Sequence, residues 1–234
     1  MGLKEDLETD VRNIFNPRWS TRDGTVVPEA DDLGLGNDAV KFADAVVLYA
    51  DLAESTALVD GKADWFAAEI YKTFLHCASK VIRSMNGEIT AFDGDRIMAV
   101  FLGDSKRSNA TQSGLKINYA VRTIINPAIK NKYPDETYAV RHAVGIDVSK
   151  LFVARTGIRG SNDLVWVGRA ANYAAKLATI RDNGYTTWIT ADVYNKADEA
   201  SRMGGDPKRS MWEKRSWSKL PGVQIYRSNW WWPF

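Results

Sequence analysis

The chain has 234 residues, of which 45% are apolar, enough to bury one sizeable hydrophobic core. Its 31 basic and 29 acidic residues leave a net charge of +2, which gives no support to a nucleic-acid or membrane-surface partner. No apolar run reaches the roughly 20 residues that cross a bilayer, and the first ten residues are acidic and polar. We therefore expect a cytoplasmic protein without a signal peptide or stable membrane insertion. The single cysteine, Cys77, excludes an intramolecular disulfide and a cysteine-rich zinc site.

Hydrophobic periodicity predicts alternating helices and strands. Apolar side chains between Phe66 and Val81 recur every three or four residues, which is typical of an amphipathic helix. The predicted elements are, in chain order, a helix at 5–15, a strand at 44–50, the amphipathic helix ended by Asn86-Gly87, strands at 88–92 and 96–102, a helix at 108–130, strands at 138–147 and 150–156 around a tight turn, a strand at 163–167, a helix at 168–181, a strand at 186–189, a short helix from 191 and a closing segment at 211–227.

This order, β-α-β-β-α-β, is the split βαβ arrangement of ferredoxin-like folds. We therefore expect an α+β fold whose antiparallel sheet is flanked by helices. An N-terminal arm with a short helix would occupy residues 1–43, the main domain residues 44–228 and a Trp-rich C-terminal tail residues 229–234. The tail is expected to dock on this chain or on a partner subunit, and an interfacial membrane contact is the third alternative.

Two carboxylates stand at the ends of neighbouring predicted strands. Asp51 follows an apolar run, and Asp95 lies in an Asp-Gly-Asp turn between two apolar runs, a strong hairpin signal. A buried carboxylate is costly unless it is paired or holds a metal. Either aspartate alone is explained more simply as a helix cap or a turn residue. Together they favour a site for hard divalent cations, suited to phosphate chemistry.

Four segments, in matching order, resemble the motifs of the class III nucleotidyl cyclase catalytic domain. They are Tyr-Ala-Asp-Leu-Ala-Glu-Ser-Thr at 49–56, Gly-Asp-Arg-Ile-Met-Ala-Val-Phe at 94–101, Val-Gly-Ile-Asp at 144–147 and Val-Gly-Arg-Ala-Ala-Asn-Tyr-Ala-Ala-Lys at 167–176. The resemblance implies that the main domain is such a catalytic domain, acting on a nucleoside triphosphate. It also implies a head-to-tail homodimer with two composite active sites.

The same resemblance assigns roles to individual residues. One subunit would hold two Mg²⁺ or Mn²⁺ ions through Asp51, Asp95 and the Leu52 carbonyl, and the other would supply Asn172 and Lys176. The latter pair, spaced i, i+4, shares one helix face, where Asn172 would orient the ribose and Lys176 would neutralise charge on the phosphate. Lysine stands where the family usually has arginine, and it lacks the planar guanidinium fork. The segment after Asp51 precedes a helix, whose N–H groups suit phosphate oxygens; its residues are Ala53, Glu54, Ser55 and Thr56.

Two polar groups that read purines in this family are absent here. Their positions are occupied by Ala91 and by Val165, which is followed by Trp166, and Tyr49 replaces the usual phenylalanine. Losing these hydrogen bonds removes the basis for choosing a purine. In this respect the chain resembles the pyrimidine cyclases of the Pycsar anti-phage systems. That resemblance implies UTP, or else CTP, as substrate and a cyclic nucleotide that acts on a separate effector protein.

Other interpretations remain open from the sequence. The chain could be an adenylate cyclase with an atypical base pocket, or a nucleotide-binding dimerisation domain that has lost catalysis. A polymerase-like palm ranks last because the basic groove for a template is absent. Further candidate nucleotide contacts are Arg96, Arg155 and Arg159, although a surface arginine is the commoner explanation for each.

Overall fold

The computed structural model describes residues 2–182 and 184–234. Its helices are α1 (Leu3–Phe15), α2 (Ser55–Gly61), α3 (Asp64–Ser84), α4 (Lys106–Ala120), α5 (Asn126–Lys132), α6 (Arg169–Ala178), α7 (Ala191–Tyr194) and α8 (Glu199–Arg202), with a 3₁₀ turn at Ala30–Asp32 and a π turn at Val121–Ile125. Its strands are β1 (Ser20–Asp23), β2 (Asp38–Leu52), β3 (Gly87–Asp93), β4 (Arg96–Phe101), β5 (His142–Ile158), β6 (Ser161–Val167), β7 (Thr187–Thr190), β8 (Met203–Gly204), β9 (Arg209–Ser210), β10 (Glu213–Ser216) and β11 (Gln224–Ser228).

The chain divides into two compact units. The first comprises the N-terminal segment through Asp44 together with Lys150–Gly168. In it, β1 pairs in parallel with the start of β2, and β6 pairs antiparallel with the end of β5. The first unit is held by aromatic packing, including stacked rings of Phe42 and Trp166 whose centroids are 6.4 Å apart.

The second unit comprises Ala45–Ser149 and Arg169–Phe234 and is organised by a sheet of order β10-β11-β7-β5-β2-β4-β3. Strand β4 pairs antiparallel with both β2 and β3. The sub-order β5-β2-β4-β3, taken in chain order, is the 4-1-3-2 arrangement of a ferredoxin-like core. The predicted α+β fold is therefore confirmed.

The two faces of this sheet have different coverings. Even-numbered residues of β2, such as Leu48 and Leu52, are buried in the core formed with α3 and α4. Because successive strand residues point to opposite faces, Asp51 lies on the other face. Helix α6 packs on that second face, and a Cβ added to Gly145 would lie 2.1 Å from the carbonyl oxygen of Ala174. Only glycine allows so close an approach of helix and strand.

The predicted tight turn between residues 147 and 150 is wrong, because β5 runs unbroken through this stretch. The polar residues that suggested a turn are satisfied within the strand. Asp147 accepts hydrogen bonds from Thr190 Oγ1 at 2.5 Å and from Arg169 Nε at 3.1 Å, and Ser149 Oγ accepts one from the Ala170 N–H at 2.9 Å. These polar residues therefore belong to a continuous strand and not to the expected turn.

Two predicted helices also differ in detail. The helix expected at 108–130 is interrupted by the π turn, which ends immediately before α5, where Pro127 lies in the first turn. Proline lacks an N–H and its ring clashes with the carbonyl four residues earlier, so a wider turn relieves it. The helix expected at 168–181 ends at Ala178, which leaves Arg181 outside it.

The Trp-rich tail docks on α4 of its own chain. The N–H of Trp232 donates to the Leu115 carbonyl at 3.2 Å, and Lys116 Nζ donates to the Pro233 carbonyl at 3.0 Å. Trp230 and Trp232 pack against the core of the second unit. Of the three alternatives for the tail, contact with its own chain is the one observed. The described residues include no helix whose length and apolar character would let it span a bilayer.

Candidate active site

The candidate site lies where β2 meets the β3–β4 hairpin. In the antiparallel register Asp51 is opposite Arg96, and Arg96 is also opposite Asp93. Gly94 and Asp95 form the two-residue turn, with Gly94 at a φ of +59°. A positive φ at the first turn position is typical of a type II′ hairpin turn, which favours glycine there. The structure thus places Asp95 one residue from the cross-strand partner of Asp51.

Two guanidinium groups surround the Asp51 carboxylate, which is only 4% exposed. Arg181 Nη2 donates to Asp51 Oδ2 at 2.8 Å, and Arg96 Nε lies 3.5 Å from Asp51 Oδ1. Arg181 Nη2 also donates to the Leu52 carbonyl at 3.2 Å. Arg181 was absent from the predicted site, since the sequence placed it only as the last residue of a helix.

The donor set fits a divalent cation. Asp95 Oδ2 is buried and has no hydrogen-bond partner among the described residues. An unpaired buried carboxylate oxygen is costly unless a cation completes it. Carboxylate and carbonyl oxygens are the ligands that Mg²⁺ and Mn²⁺ prefer. Asp51, Asp95 and the Leu52 carbonyl are the residues that would hold such ions; no cluster of three or more His, Cys, Asp or Glu side chains occurs in the described ranges.

The predicted phosphate-binding segment leads from β2 into the short helix α2. Glu54 adopts a left-handed conformation with φ +62°, and its carboxylate pairs with Arg141. The N–H of Ala53 is already used, donating to the Arg141 carbonyl at 2.8 Å. Ser55 and Thr56 occupy the first turn of α2, where backbone N–H groups lack intrahelical acceptors.

A cavity of about 230 Å³ adjoins this segment and is lined by Ala53, Arg141, His142 and Arg181, among others. His142 is 5% exposed, and its Nε2 atom has no partner among the described residues. Burial, with a further contribution from the Arg181 charge, lowers the pKa of His142 to about 3. A neutral imidazole is therefore expected at neutral pH.

Helix α6 presents the two predicted catalytic residues to solvent. Asn172 and Lys176 are both exposed, and the alanines on the opposite side of the helix are buried. No hydrogen bond or ion pair within the described part of the chain joins either residue to Asp51 or Asp95. Arg169, at the start of α6, is instead committed to Asp147 and Asp192. The structure of one chain therefore places Asp51 and Asp95 at the same end of the β2–β4 strand pair and shows no bond from either of them to Asn172 or Lys176.

The predicted base-pocket residues fall into two groups. Tyr49 and Ala91 both pair with Met98, so these three side chains form one row on the face that carries Asp51. Burial raises the pKa of the Tyr49 hydroxyl. Val165 and Trp166 belong to the first unit and, as adjacent strand residues, point to opposite faces of β6. Trp166 stacks on Phe42 and serves packing within that unit.

Two of the three candidate arginines have other roles or surroundings. Arg155 binds Asp31 at 2.8 Å and Asn162 Oδ1 at 2.7 Å, which fixes it within the first unit. Arg159 lies in the exposed turn between β5 and β6. Arg96 alone reaches the candidate site, where its guanidinium also lies 5.9 Å from the Tyr49 ring centroid.

Solved structures share this architecture. The adenylyl cyclase CyaB from P. aeruginosa matches with a TM-score of 0.66 at 19% identity, covering 81% of this chain and 95% of that one. A guanylyl cyclase matches with the same TM-score at 17% identity, covering 79% and 91%. The fold is that of the class III nucleotidyl cyclase catalytic domain.

Similarity in sequence is closer and extends over the whole chain. A uridylate cyclase of Xanthomonas perforans and another of Burkholderia cepacia are each 50% identical over 234 residues, covering 99% of both chains. A uridylate cyclase of Rhodovulum sp. is 39% identical, covering 99% of this chain and 98% of its own. No family model matches the chain. The chain belongs to the uridylate cyclase family of class III nucleotidyl cyclases, and it is a nucleotidyl cyclase enzyme.

Proposed function

We propose that this chain is a metal-dependent uridylate cyclase that converts UTP into 3′,5′-cyclic UMP and pyrophosphate. The observation that carries the proposal is the placement of Asp51 and Asp95 at one end of the β2–β4 strand pair, with Asp95 Oδ2 buried and without a hydrogen-bond partner among the described residues. The names of relatives at 50% identity support uracil as the base. The row formed by Tyr49, Met98 and Ala91 offers no side chain with the charge of a purine-reading lysine.

In the proposed reaction the ribose 3′ oxygen attacks the α-phosphorus while the bond from the α-phosphorus to the α,β-bridging oxygen breaks. The 3′ hydroxyl proton is lost and pyrophosphate leaves with the bond electrons. Two divalent cations, held by Asp51, Asp95 and the Leu52 carbonyl, would supply Lewis-acid stabilisation of the attacking and leaving oxygens. Asn172 orients the ribose, and Lys176 stabilises negative charge that develops on the phosphate.

The proposed active unit is a head-to-tail homodimer. Asn172 and Lys176 are exposed on α6, and within the described part of the chain they form no hydrogen bond or ion pair with Asp51 or Asp95. A second copy that presents its α6 to this carboxylate pair would complete the site, and the arrangement repeats by two-fold symmetry. We further propose that the cyclic nucleotide serves bacterial anti-phage signalling through a separate effector protein.

A product assay tests the proposal. The purified protein is incubated with each ribonucleoside triphosphate and Mn²⁺, and products are separated by retention time and mass. Cyclic UMP is expected as the main product, and chelation of the metal is expected to abolish it. Cyclic CMP or cyclic AMP as the main product would overturn the assigned base. Absence of any cyclic product would favour a nucleotide-binding domain without catalysis.

A further inference from the structure

Arg181 holds the same oxygen atoms that are proposed to bind metal. Its Nη2 lies 2.8 Å from Asp51 Oδ2 and 3.2 Å from the Leu52 carbonyl oxygen. These two acceptors belong to adjacent residues at the end of β2. A single guanidinium nitrogen thus stands between a carboxylate and a carbonyl in the manner of a bound cation.

The other half of the guanidinium is tied to the end of α6. Arg181 Nη1 donates to the Ala178 carbonyl at 2.7 Å, and Ala178 is the last residue of that helix. Carbonyl groups at a helix C-terminus lack intrahelical donors and carry partial negative charge, so a cation there is favourable. Arg181 therefore links the metal-ligand oxygens to the helix that presents Asn172 and Lys176.

A divalent cation that binds Asp51 Oδ2 and the Leu52 carbonyl competes with this guanidinium for the same two oxygen atoms. Mg²⁺ binds oxygen at about 2.1 Å and repels a second positive group at such distances. Asp95 is different, because its buried Oδ2 has no hydrogen-bond partner among the described residues, Arg181 included. Asp51 is therefore paired with an internal cation, whereas no described residue compensates the buried oxygen of Asp95.

We propose that Arg181 is a built-in cation that exchanges with the divalent metal at Asp51 and Leu52. This inference rests on the proposed metal-dependent function. It goes beyond that function because it requires the metal to displace Arg181 when it binds. Displacement of Arg181 by the metal breaks the link between the Asp51 carboxylate and the C-terminal end of α6. Arg181 is accordingly a positioning residue, which acts on metal affinity and on α6 and not on the reacting atoms.

The test is a titration of the protein with Mn²⁺ in the absence of nucleotide. Binding is measured as the loss of the EPR signal of free Mn²⁺. Removing the competitor in Arg181→Gln is expected to raise Mn²⁺ affinity about three- to tenfold, the range of a partly exposed ion pair. Arg181→Lys retains the charge and is expected to stay nearer to wild type. Arg83→Gln, which removes an exposed charge at the end of α3, is the matched control and should leave the affinity unchanged.

A second measurement separates competition from damage to the fold. In a chelator, Arg181→Gln is expected to melt roughly 2–4 °C below wild type, because buried Asp51 loses a partner. Saturating Mn²⁺ should close that gap, since the metal replaces the arginine. A gap that persists in Mn²⁺ would overturn the exchange, and so would a lysine variant that binds Mn²⁺ as the glutamine variant does.

The outcomes distinguish this inference from the proposed function. If wild type binds Mn²⁺ in an Asp51-dependent way and Arg181→Gln binds no better, the exchange is wrong while the metal site stands. If neither protein binds Mn²⁺, removal of Arg181 does not open the site and the exchange is again wrong. The proposed function is then decided by the product assay and its response to chelation.

Discussion

Asp95 illustrates at the scale of one residue how a proposed metal ligand opposes stability. Its buried Oδ2 has no partner in the described part of the chain, so the charge destabilises the protein without metal. Asp95→Asn is expected to raise the free energy of unfolding in a chelator by up to ~1 kcal/mol while cyclase activity is lost. Urea unfolding and the product assay measure the two effects. Exposed Asp93, in the same hairpin, is the control position, and Asp93→Asn should change unfolding much less. Equal changes in the free energy of unfolding for the two variants would argue against a destabilising charge at Asp95.

His142 makes stability depend on pH. Its pKa is about 3 in the folded protein because it is buried and lies near Arg181, whereas an unfolded histidine titrates near 6.5. The unfolded state therefore binds the proton first, so stability is full above about pH 6.5 and falls as pH decreases towards 3.

Wild type is expected to lose about 1 kcal/mol from this group between pH 6.5 and 5.5, and His142→Gln should lose that much less. Urea unfolding at several pH values gives the comparison. Exposed His76 provides a control, because His76→Gln should keep the wild-type slope. A His142 variant with the wild-type slope would assign the acid sensitivity to other groups.

At the scale of secondary-structure elements, the contact between α6 and β5 positions the helix that carries the proposed catalytic residues. A Cβ on Gly145 would lie 2.1 Å from the Ala174 carbonyl oxygen and 2.5 Å from the Ala178 nitrogen. Both are backbone atoms, so the helix itself must move. Gly145→Ala is expected to lower the free energy of unfolding by about 1–3 kcal/mol and to reduce activity, because Asn172 and Lys176 shift with α6.

Chemical denaturation and the product assay measure these effects. Gly36→Ala is a suitable control, since nothing lies within 4 Å of its added Cβ and its φ is ordinary. Unchanged stability in Gly145→Ala would mean that α6 can move away from the sheet at no cost.

Local patterns predicted local structure well. The apolar repeat from Phe66 predicted α3, and the Asp-Gly pair predicted the hairpin between β3 and β4. Both depend on contacts close in the sequence. The role of Arg181 could not be predicted, because its partner Asp51 is 130 positions away and the contact depends on where α6 ends. Asp147 was misinterpreted for the same reason, since its partner Thr190 is 43 positions away.

At the scale of the whole molecule, the proposed homodimer predicts complementation between inactive proteins. Asp51→Ala removes one half of each site and Asn172→Ala removes the other, so neither protein should be active alone. In a mixed head-to-tail dimer one of the two sites is intact. An equal mixture that exchanges subunits freely is expected to recover about a quarter of wild-type activity, as half of the dimers are mixed and each mixed dimer has one intact site.

The product assay, carried out after mixing and dilution, measures the recovered activity. Each mutant protein assayed alone supplies the baseline. No recovery despite proven subunit exchange would contradict composite sites.

The row of Tyr49, Met98 and Ala91 has a consequence for how such enzymes diverge. Residues directly opposite one another in a sheet have Cβ atoms only about 5 Å apart, so a long side chain at position 91 meets Met98 before it meets a nucleotide. Met98 in turn is bounded by Tyr49. If this row forms the proposed base pocket, a single substitution at position 91 is expected not to convert base preference, because Met98 and Tyr49 must change with it.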